Sequence, residues 1–411
     1  MTKKLNTLVF IYNSFNDPLF QNLVLSYIKT LSTKTHGEFH VVTFEQPVYA
    51  LTSEEMKLVT EDLALSRIYW HPLQFHTGKF LLLKKAWDFI QSLFHILYLR
   101  IKYQTKVILA FANVAASISI ILKKLLRMKM VVYSYEPHSE FMADLGFWNR
   151  TGLKFKILNY LESMAGQDAD YIMTGTRYML EELKSKGSRA QLFRAPTAVD
   201  ANDFQFRPEE RASLRRKLGV ESKHVFLYLG KFGGLYYTDE LPEMSAAIKR
   251  EIPNAFFLVV TSNDHAEIAE MYSNFLDAED YHITGNLTYE EVKEYISAAD
   301  MGISGVPPSP SQKFRSPTKV AEYLLCGLPY ITTRGVSEDD EYAVKYNVGV
   351  VFDSFRTELV KDALPQVQRL FNEDPVVLRE RCRQTGLEYR SKEHVDGVLL
   401  EVYESIWLCS D

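Results

Sequence analysis

Short runs of apolar, β-branched and aromatic residues alternate along this chain with longer stretches of helical period. The first run, LNTLVFIYN, is followed by PLFQNLVLSYIKTLSTK; then come FHVVTFE, RIYWHPL with a long helical segment from Gly78 to Gln104, and VILAF with a helix to about Met128. The series continues through MVVYSY, GLKFKILNYLESMAG, YIMTGT, a helix to Lys186 and QLFRAP. Apolar runs that are continuous, separated by amphipathic helices, predict a parallel sheet covered on both faces. Between Asp200 and Val220 the pattern breaks into NDFQFRPEERASLRRKLGVESK, a charged connector without a strand, where we place the domain boundary. A second α/β series then begins: HVFLYLG, a loop KFGGLYY, TDELPEMSAAIKREI, AFFLVVTS, a helix from Ala266, YHITG, TYEEVKEYISAA and MGISG. It ends with the loop GVPPSPSQKFRSP, helix TKVAEYLLCG, strand LPYITT and a mostly helical tail. Two domains are expected, 1–200 and 221–391, with a C-terminal helix from about 392 packing back on the first.

A length of 411 residues with 46% hydrophobic content supports two cores, because a single core stops growing well before this size. Cys326, Cys382 and Cys409 make no disulfide framework, and with the ten histidines they match no zinc spacing, so no metal is expected. The start MTKKLNTLVF runs into an apolar strand with no small-residue cleavage site, and the uncharged stretch between Lys106 and Lys123 is short for a membrane span. A cytoplasmic location follows as the expectation. Charge adds a second feature: 79–129 holds ten Lys or Arg against one acid, Asp88, a net +9, which leaves −14 for the remainder of a chain whose total is −5. Those cations are interleaved with FLLLKKAW and ILYLRIK, as on a face that meets an anionic membrane surface at the inner leaflet, or on two helices with a solvated basic side.

The stretch SPTKVAEYLLCGLPYITT carries the most chemistry. Pro317 stands where a helix can start, Lys319 and Glu322 share a face three residues apart, and Gly327 is placed to stop the helix before Pro329. A helix N-terminus beside a lysine attracts phosphate, and a carboxylate one turn on can accept from two ribose hydroxyls. The same spacing also suits a plain surface ion pair.

Together with GKFGG, YHITGNLTYEEVKEYISAADMGIS and RAPTAVD, this stretch resembles the GT-B glycosyltransferases, most closely their family-4-like retaining members. That resemblance implies two Rossmann-like, doubly wound parallel-sheet domains facing across a cleft, with Glu322 on the donor ribose and Lys319 near the diphosphate. It also implies that Asn286 and Leu287 meet the nucleotide base. Two departures stand out. Phe314 occupies the position, eight before Glu322, where the family commonly has a second glutamate, and Lys231 followed by Tyr236 replaces a Gly-Arg with a lysine five residues on. Lys231 still supplies a cation, and Gly233 and Gly234 allow close backbone approach to a phosphate, although a glycine pair also serves a tight turn.

In the first half, Glu136 and His138 of YSYEPHSEF follow a strand, at the sheet edge where open α/β sheets place ligands. They are the candidate catalytic groups: the imidazole for the donor sugar or leaving oxygen, the carboxylate to orient it or to deprotonate an acceptor hydroxyl. Asn13, Ser14, Asn16 and Asp17 form a polar loop suited to acceptor hydroxyls, or to a helix cap. Asp168-Ala169-Asp170 has the spacing of a metal-binding D-x-D, but it precedes YIMTGT and reads as the start of a strand. The resemblance implies transfer of a sugar from a nucleoside-diphosphate sugar, as co-substrate and without a cofactor, to a saccharide or lipid-linked acceptor. A sugar-nucleotide epimerase of similar fold and a catalytically silent partner subunit are the alternatives. A dehydrogenase is disfavoured, since IYNSFNDP stands where G-x-G-x-x-G would follow the first strand, and no nucleic-acid module is present.

Overall fold

The computed structural model describes residues 5–134, 136–285 and 287–408. The chain divides into two compact units, 1–195 with 395–411 and 196–394. Asn286, one of the residues matched to the nucleotide base, and Cys409 lie outside the described residues.

Seven strands form the sheet of the first unit: β1 (Thr7–Ile11), β2 (Phe39–Glu45), β3 (Ile68–Gln74), β4 (Val107–Phe111), β5 (Lys129–Ser134), β6 (Tyr171–Thr174) and β7 (Gln191–Arg194). Their order is β3-β2-β1-β4-β5-β6-β7, and every pair is parallel. β1 and β4 are buried along their whole length, which is why TLVFI and VILAF carry no polar alternation. Six strands form the second sheet: β8 (His224–Leu229), β9 (Ala255–Val260), β10 (Tyr281–Thr284), β11 (Met301–Ile303), β12 (Tyr330–Thr333) and β13 (Gly349–Phe352), in the order β10-β9-β8-β11-β12-β13, again all parallel. Both sheets are doubly wound α/β sheets of the kind the alternating pattern predicts. Each winds outward in one direction and then returns to the other side of its first strand. The reversals fall between β1 and β4 and between β8 and β11, and open sheets bind ligands beyond the carboxyl ends of their strands at such points.

The charged segment after Asp200 is no loose connector. It holds the helix Pro208–Leu218, with Pro at its start, Glu209 and Glu210 in its first turn, Arg215, Arg216 and Lys217 in its last, and Gly219 at φ +66° beyond. This helix belongs to the second unit, where Arg211 and Arg215 hold Asp300 at 2.5 and 3.0 Å. Burial opposes ionisation of Asp300, yet those two guanidinium groups keep its carboxyl below the usual range. The final helix, Lys392–Leu408, packs from Val395 onward in the first unit, where Thr30 donates to Asp396 at 3.1 Å and the Tyr403 ring lies 6.2 Å from that of Phe39. No helix is long and apolar enough to cross a membrane among the described residues.

Candidate functional site

In the second unit, the loops at the reversal point are those that leave β8 and β11. The first runs from Gly230 to Tyr237 and is held from both ends: Phe232 donates its N–H to Asn263 Oδ1 at 3.0 Å, and Tyr237 donates to the Gly305 carbonyl at 3.1 Å. Gly233 and Gly234 both have positive φ, +78° and +65°, and a Cβ on Gly234 would meet nothing within 4 Å. The pair therefore makes a tight turn and also leaves the backbone open to a ligand. Lys231 is exposed, and its carbonyl accepts from the buried Tyr228 hydroxyl.

The second loop leads from β11 to the helix Thr318–Leu325. Pro317 precedes that helix and no side chain caps it, so its first N–H groups are not taken by a cap. Lys319 Nζ lies 2.9 and 3.1 Å from the two Glu322 oxygens; the Glu322 side chain is only 8% exposed, that of Lys319 37%. A buried carboxylate facing a half-exposed ammonium is a stronger arrangement than the surface pair the spacing also allowed. The helix lies close under the sheet because β11 has Gly302: a Cβ there would come within 2.5 Å of the Tyr323 ring. Phe314 is buried in the short helix Gln312–Phe314, so no carboxylate stands there. Leu287 follows β10 and packs partly buried against the core of this unit. Thus Lys231, Gly233, Gly234, Lys319 and Glu322 all fall on the two loops and the helix of one reversal point.

A residue the motifs did not indicate holds this helix in place. Arg390, 1% exposed, donates to Ser316 Oγ at 2.5 Å and to the Pro317 carbonyl, and forms an ion pair with the equally buried Asp339 at 3.5 Å. Ser316 Oγ also accepts the Thr197 N–H at 3.0 Å. Only the arginine's position in a helical tail was visible beforehand, and nothing local marks its partners.

In the first unit the loop after β1 is partly structural. Ser14 is fully buried, donating to the Phe44 carbonyl at 3.1 Å and accepting the Gln46 N–H at 2.8 Å, so it ties β1 to the end of β2 and offers nothing to an acceptor. Asn13 donates to Asp17 at 3.2 Å, Asp17 takes the Leu19 N–H at 2.8 Å, and Asn16 is exposed. Across the reversal point, β4 ends at Phe111 and the next residue, Ala112, has φ +66° and ψ 160°, a conformation nearly reserved for glycine. His138 opens the helix His138–Asp144 after β5, with its ring edge-on to Trp148 at 5.7 Å. Burial and then the charge of Lys154 lower its pKa below that of ordinary histidine. Glu136 lies in the bend just before, its carbonyl accepting from Asn113. Beneath them sits Glu162, which sequence reasoning passed over: it accepts the Ser139 N–H at 3.2 Å and the Ser139 hydroxyl, and lines a cavity of about 340 Å³ with Asn113, Ser134 and Asn159. Burial pushes its carboxyl up to about 7, with Glu136 adding to the rise against the Ser139 bonds.

Asp168 and Asp170 lie beside the start of β6, at the opposite end of the sheet from these loops. Lys123 holds Asp170 at 2.9 Å, Lys124 holds Asp168 at 2.8 Å, and Lys129 and Arg189 complete the cluster. Both carboxylates are thus paired with cations. No group of three metal-ligating side chains is found among the described residues.

Residues 210–388, all within the second unit, match the family model described as Glycosyl transferases group 1. That match lies within the unit that carries Lys231, Gly233, Gly234, Lys319 and Glu322. Over 138 residues the chain is 26% identical to a GDP-mannose-dependent alpha-(1-6)-phosphatidylinositol monomannoside mannosyltransferase of Mycolicibacterium smegmatis, a match covering 33% of this chain and 36% of that one. It therefore spans about a third of the curated relative's length. Sucrose-phosphate synthase from Thermosynechococcus elongatus superposes with a TM-score of 0.71 at 14% identity, over 98% of this chain and 100% of that one. Anabaena HepE in complex with UDP-glucose does so with 0.67 at 13%, over 97% and 99%. At such identities the likeness is one of fold, and that fold is GT-B, as the sequence resemblance implied.

Proposed function

We propose that this protein is a glycosyltransferase that moves a sugar from a nucleoside-diphosphate sugar to a saccharide or lipid-linked acceptor, with retention at the anomeric carbon, in making a cell-surface polysaccharide or glycoconjugate. The observation that carries the reading is the uncapped N-terminus of helix Thr318–Leu325, with Lys319 and Glu322 on it, inside the group 1 segment. The bond from the sugar C1 to the diphosphate oxygen breaks, a bond from C1 to an acceptor oxygen forms, and the acceptor hydroxyl loses its proton. Lys319, Lys231 and the helix N-terminus offset the charge that gathers on the departing diphosphate, the term expected to matter most. Glu322 accepts from the ribose hydroxyls once the diphosphate competes for Lys319. No metal is required in this scheme. Glu136 and His138 are the groups proposed to serve the reacting oxygens, and the loop of Asn13, Asn16 and Asp17 the acceptor. The GDP-mannose named for the mycobacterial relative and the UDP-glucose bound to HepE both support a nucleoside-diphosphate sugar. The enzyme would work in the cytoplasm, with an anionic membrane surface as partner through the basic, apolar segment 79–129.

Release of nucleoside diphosphate from a panel of sugar nucleotides, with and without candidate acceptors, tests the proposal. Acceptor-dependent release is expected. Conversion of the sugar nucleotide without acceptor would make the chain an epimerase, and no turnover with a donor that binds would make it a silent partner.

A further inference from the structure

The basic segment 79–129 does not present one face. Lys123, Lys124 and Lys129 turn to Asp168 and Asp170, whereas the helix Leu81–Tyr103 lays bare an apolar stripe. Leu83, Trp87, Ile90, Phe94, Tyr98 and Ile101 are all exposed, with Leu83, Phe94 and Ile101 at 71, 70 and 70%. At about 100° per residue these six fall within one narrow band, some 27 Å long at about 1.5 Å per residue. Opposite it, Ile96 and Leu99 are buried in the core, so the helix is covered on one side only. By the same angular count Lys84 and Lys102 lie along one edge of the stripe, and Lys102 reaches back to the Tyr98 hydroxyl at 2.8 Å. Asp88, the one acid of this helix, is fully buried and bound to Tyr12, His76 and Lys85, so the outer face carries no carboxylate.

A second helix of this unit also has an exposed apolar face. Leu153, Ile157 and Tyr160, spaced i, i+4, i+7 on the helix Leu153–Asp168, are each more than half exposed, and Lys154 there feels the charge of Lys85. Apolar and aromatic side chains with Lys84, Lys102, Lys154 and Lys156 beside them match the boundary between acyl chains and anionic headgroups. A second copy of this chain would bring like charges together.

We propose that these two helices seat the first unit on an anionic bilayer, lying in the headgroup plane, and that the acceptor is lipid-anchored. The second clause rests on the assignment of the loop after β1 to the acceptor. Asp88 ties the docking helix to Tyr12 at 2.8 Å, one residue before that loop begins, so the loop is held beside the lipid surface.

The test is cosedimentation of the full chain with vesicles of phosphatidylcholine, alone or in equal parts with phosphatidylglycerol. Parent protein should pellet with the mixed vesicles and be released by salt; Trp87→Glu with Phe94→Glu, and separately Lys84→Glu with Lys102→Glu, should weaken binding at least about tenfold. Circular dichroism and nucleoside-diphosphate affinity should stay unchanged in both, since neither pair touches the donor site. With an acceptor sugar identified, the variants should transfer normally to its octyl glycoside in solution and lose transfer to the same sugar on a lipid anchor in vesicles. Equal pelleting of parent with neutral and mixed vesicles, unchanged pelleting of the folded variants, or a parent dimer that the variants dissociate, would overturn the docking. Docking as expected, with no acceptor-dependent release by the parent, would instead retain the surface and refute the transferase reading.

Discussion

Arg390 and Asp339 face each other at 3.5 Å, each about 1% exposed, and the same guanidinium holds Ser316 and Pro317 at the start of the helix that bears Lys319 and Glu322. Burial raises the Asp339 carboxyl to about 6 even against the opposing charge of Arg390. Arg390→Met should leave that carboxyl without its cation and destabilise the chain by roughly 3 to 5 kcal/mol. Adding Asp339→Asn should recover part of the loss. Denaturant midpoints of the two variants check this; equal midpoints for single and double would show that the ion pair is not what holds the segment.

Lys319 and Glu322 compensate each other at 2.9 Å. Glu322→Gln should weaken nucleoside-diphosphate binding about ten- to a hundredfold, or roughly 1 to 3 kcal/mol, and Lys319→Ala should lose diphosphate affinity far more than nucleoside affinity. Calorimetric titrations with nucleoside and nucleoside diphosphate separate the two effects. Parent-like binding by both variants would leave the pair a structural one.

Glu162 should make stability fall as pH rises. Its folded pKa, about 7, stands above the ordinary 4.5, so its contribution is present below pH 4.5 and lost on passing through pH 7. Glu162→Gln should remove that decline, up to about 3 kcal/mol, in thermal melts between pH 4.5 and 7.5. If parent and variant melt with the same pH dependence, the carboxyl is not held neutral.

His40 and His71 act in the opposite sense. His40 Nδ1 lies 3.2 Å from His71 Nε2, and burial lowers both rings to about 4, with each other's charge and that of Lys102 adding to the effect at His71. Their contribution is full above pH 6.5 and lost as pH falls through 4, so the first unit should melt earlier in acid. His71→Phe should lessen this acid sensitivity; an unchanged acid limb would point to other groups.

Ala112, at φ +66° and ψ 160°, stores strain where β4 ends. Ala112→Gly should raise stability by about 1 kcal/mol, the relief of strain exceeding the entropy cost of glycine. A lowered melting temperature would show that the side chain contributes more than its backbone costs.

The two sheets are legible in the sequence because parallel strands buried on both faces must be written as unbroken apolar runs, as in VILAF and AFFLVV, and the helices between them as segments of 3.6 period. The likeness of SPTKVAEYLLCGLP to a donor-binding helix was also local, since a proline start, a lysine and a glutamate three apart, and a glycine stop lie within fourteen residues. These are properties of neighbouring residues, and local periodicity suffices to reveal them.

What only the tertiary structure decided depends on pairs far apart in the chain. Arg390 meets Ser316 across 74 positions, and Asp88 meets Tyr12 across 76. Ser14 looked like a free loop hydroxyl, yet it is consumed by Phe44 and Gln46. The basic segment 79–129 read as one face because charge was counted along the chain, while folding sends Lys123, Lys124 and Lys129 to Asp168 and Asp170 and leaves the Leu83 to Ile101 stripe bare. A helical period tells which residues share a face; whether that face is covered depends on which elements the sheet order brings beside it.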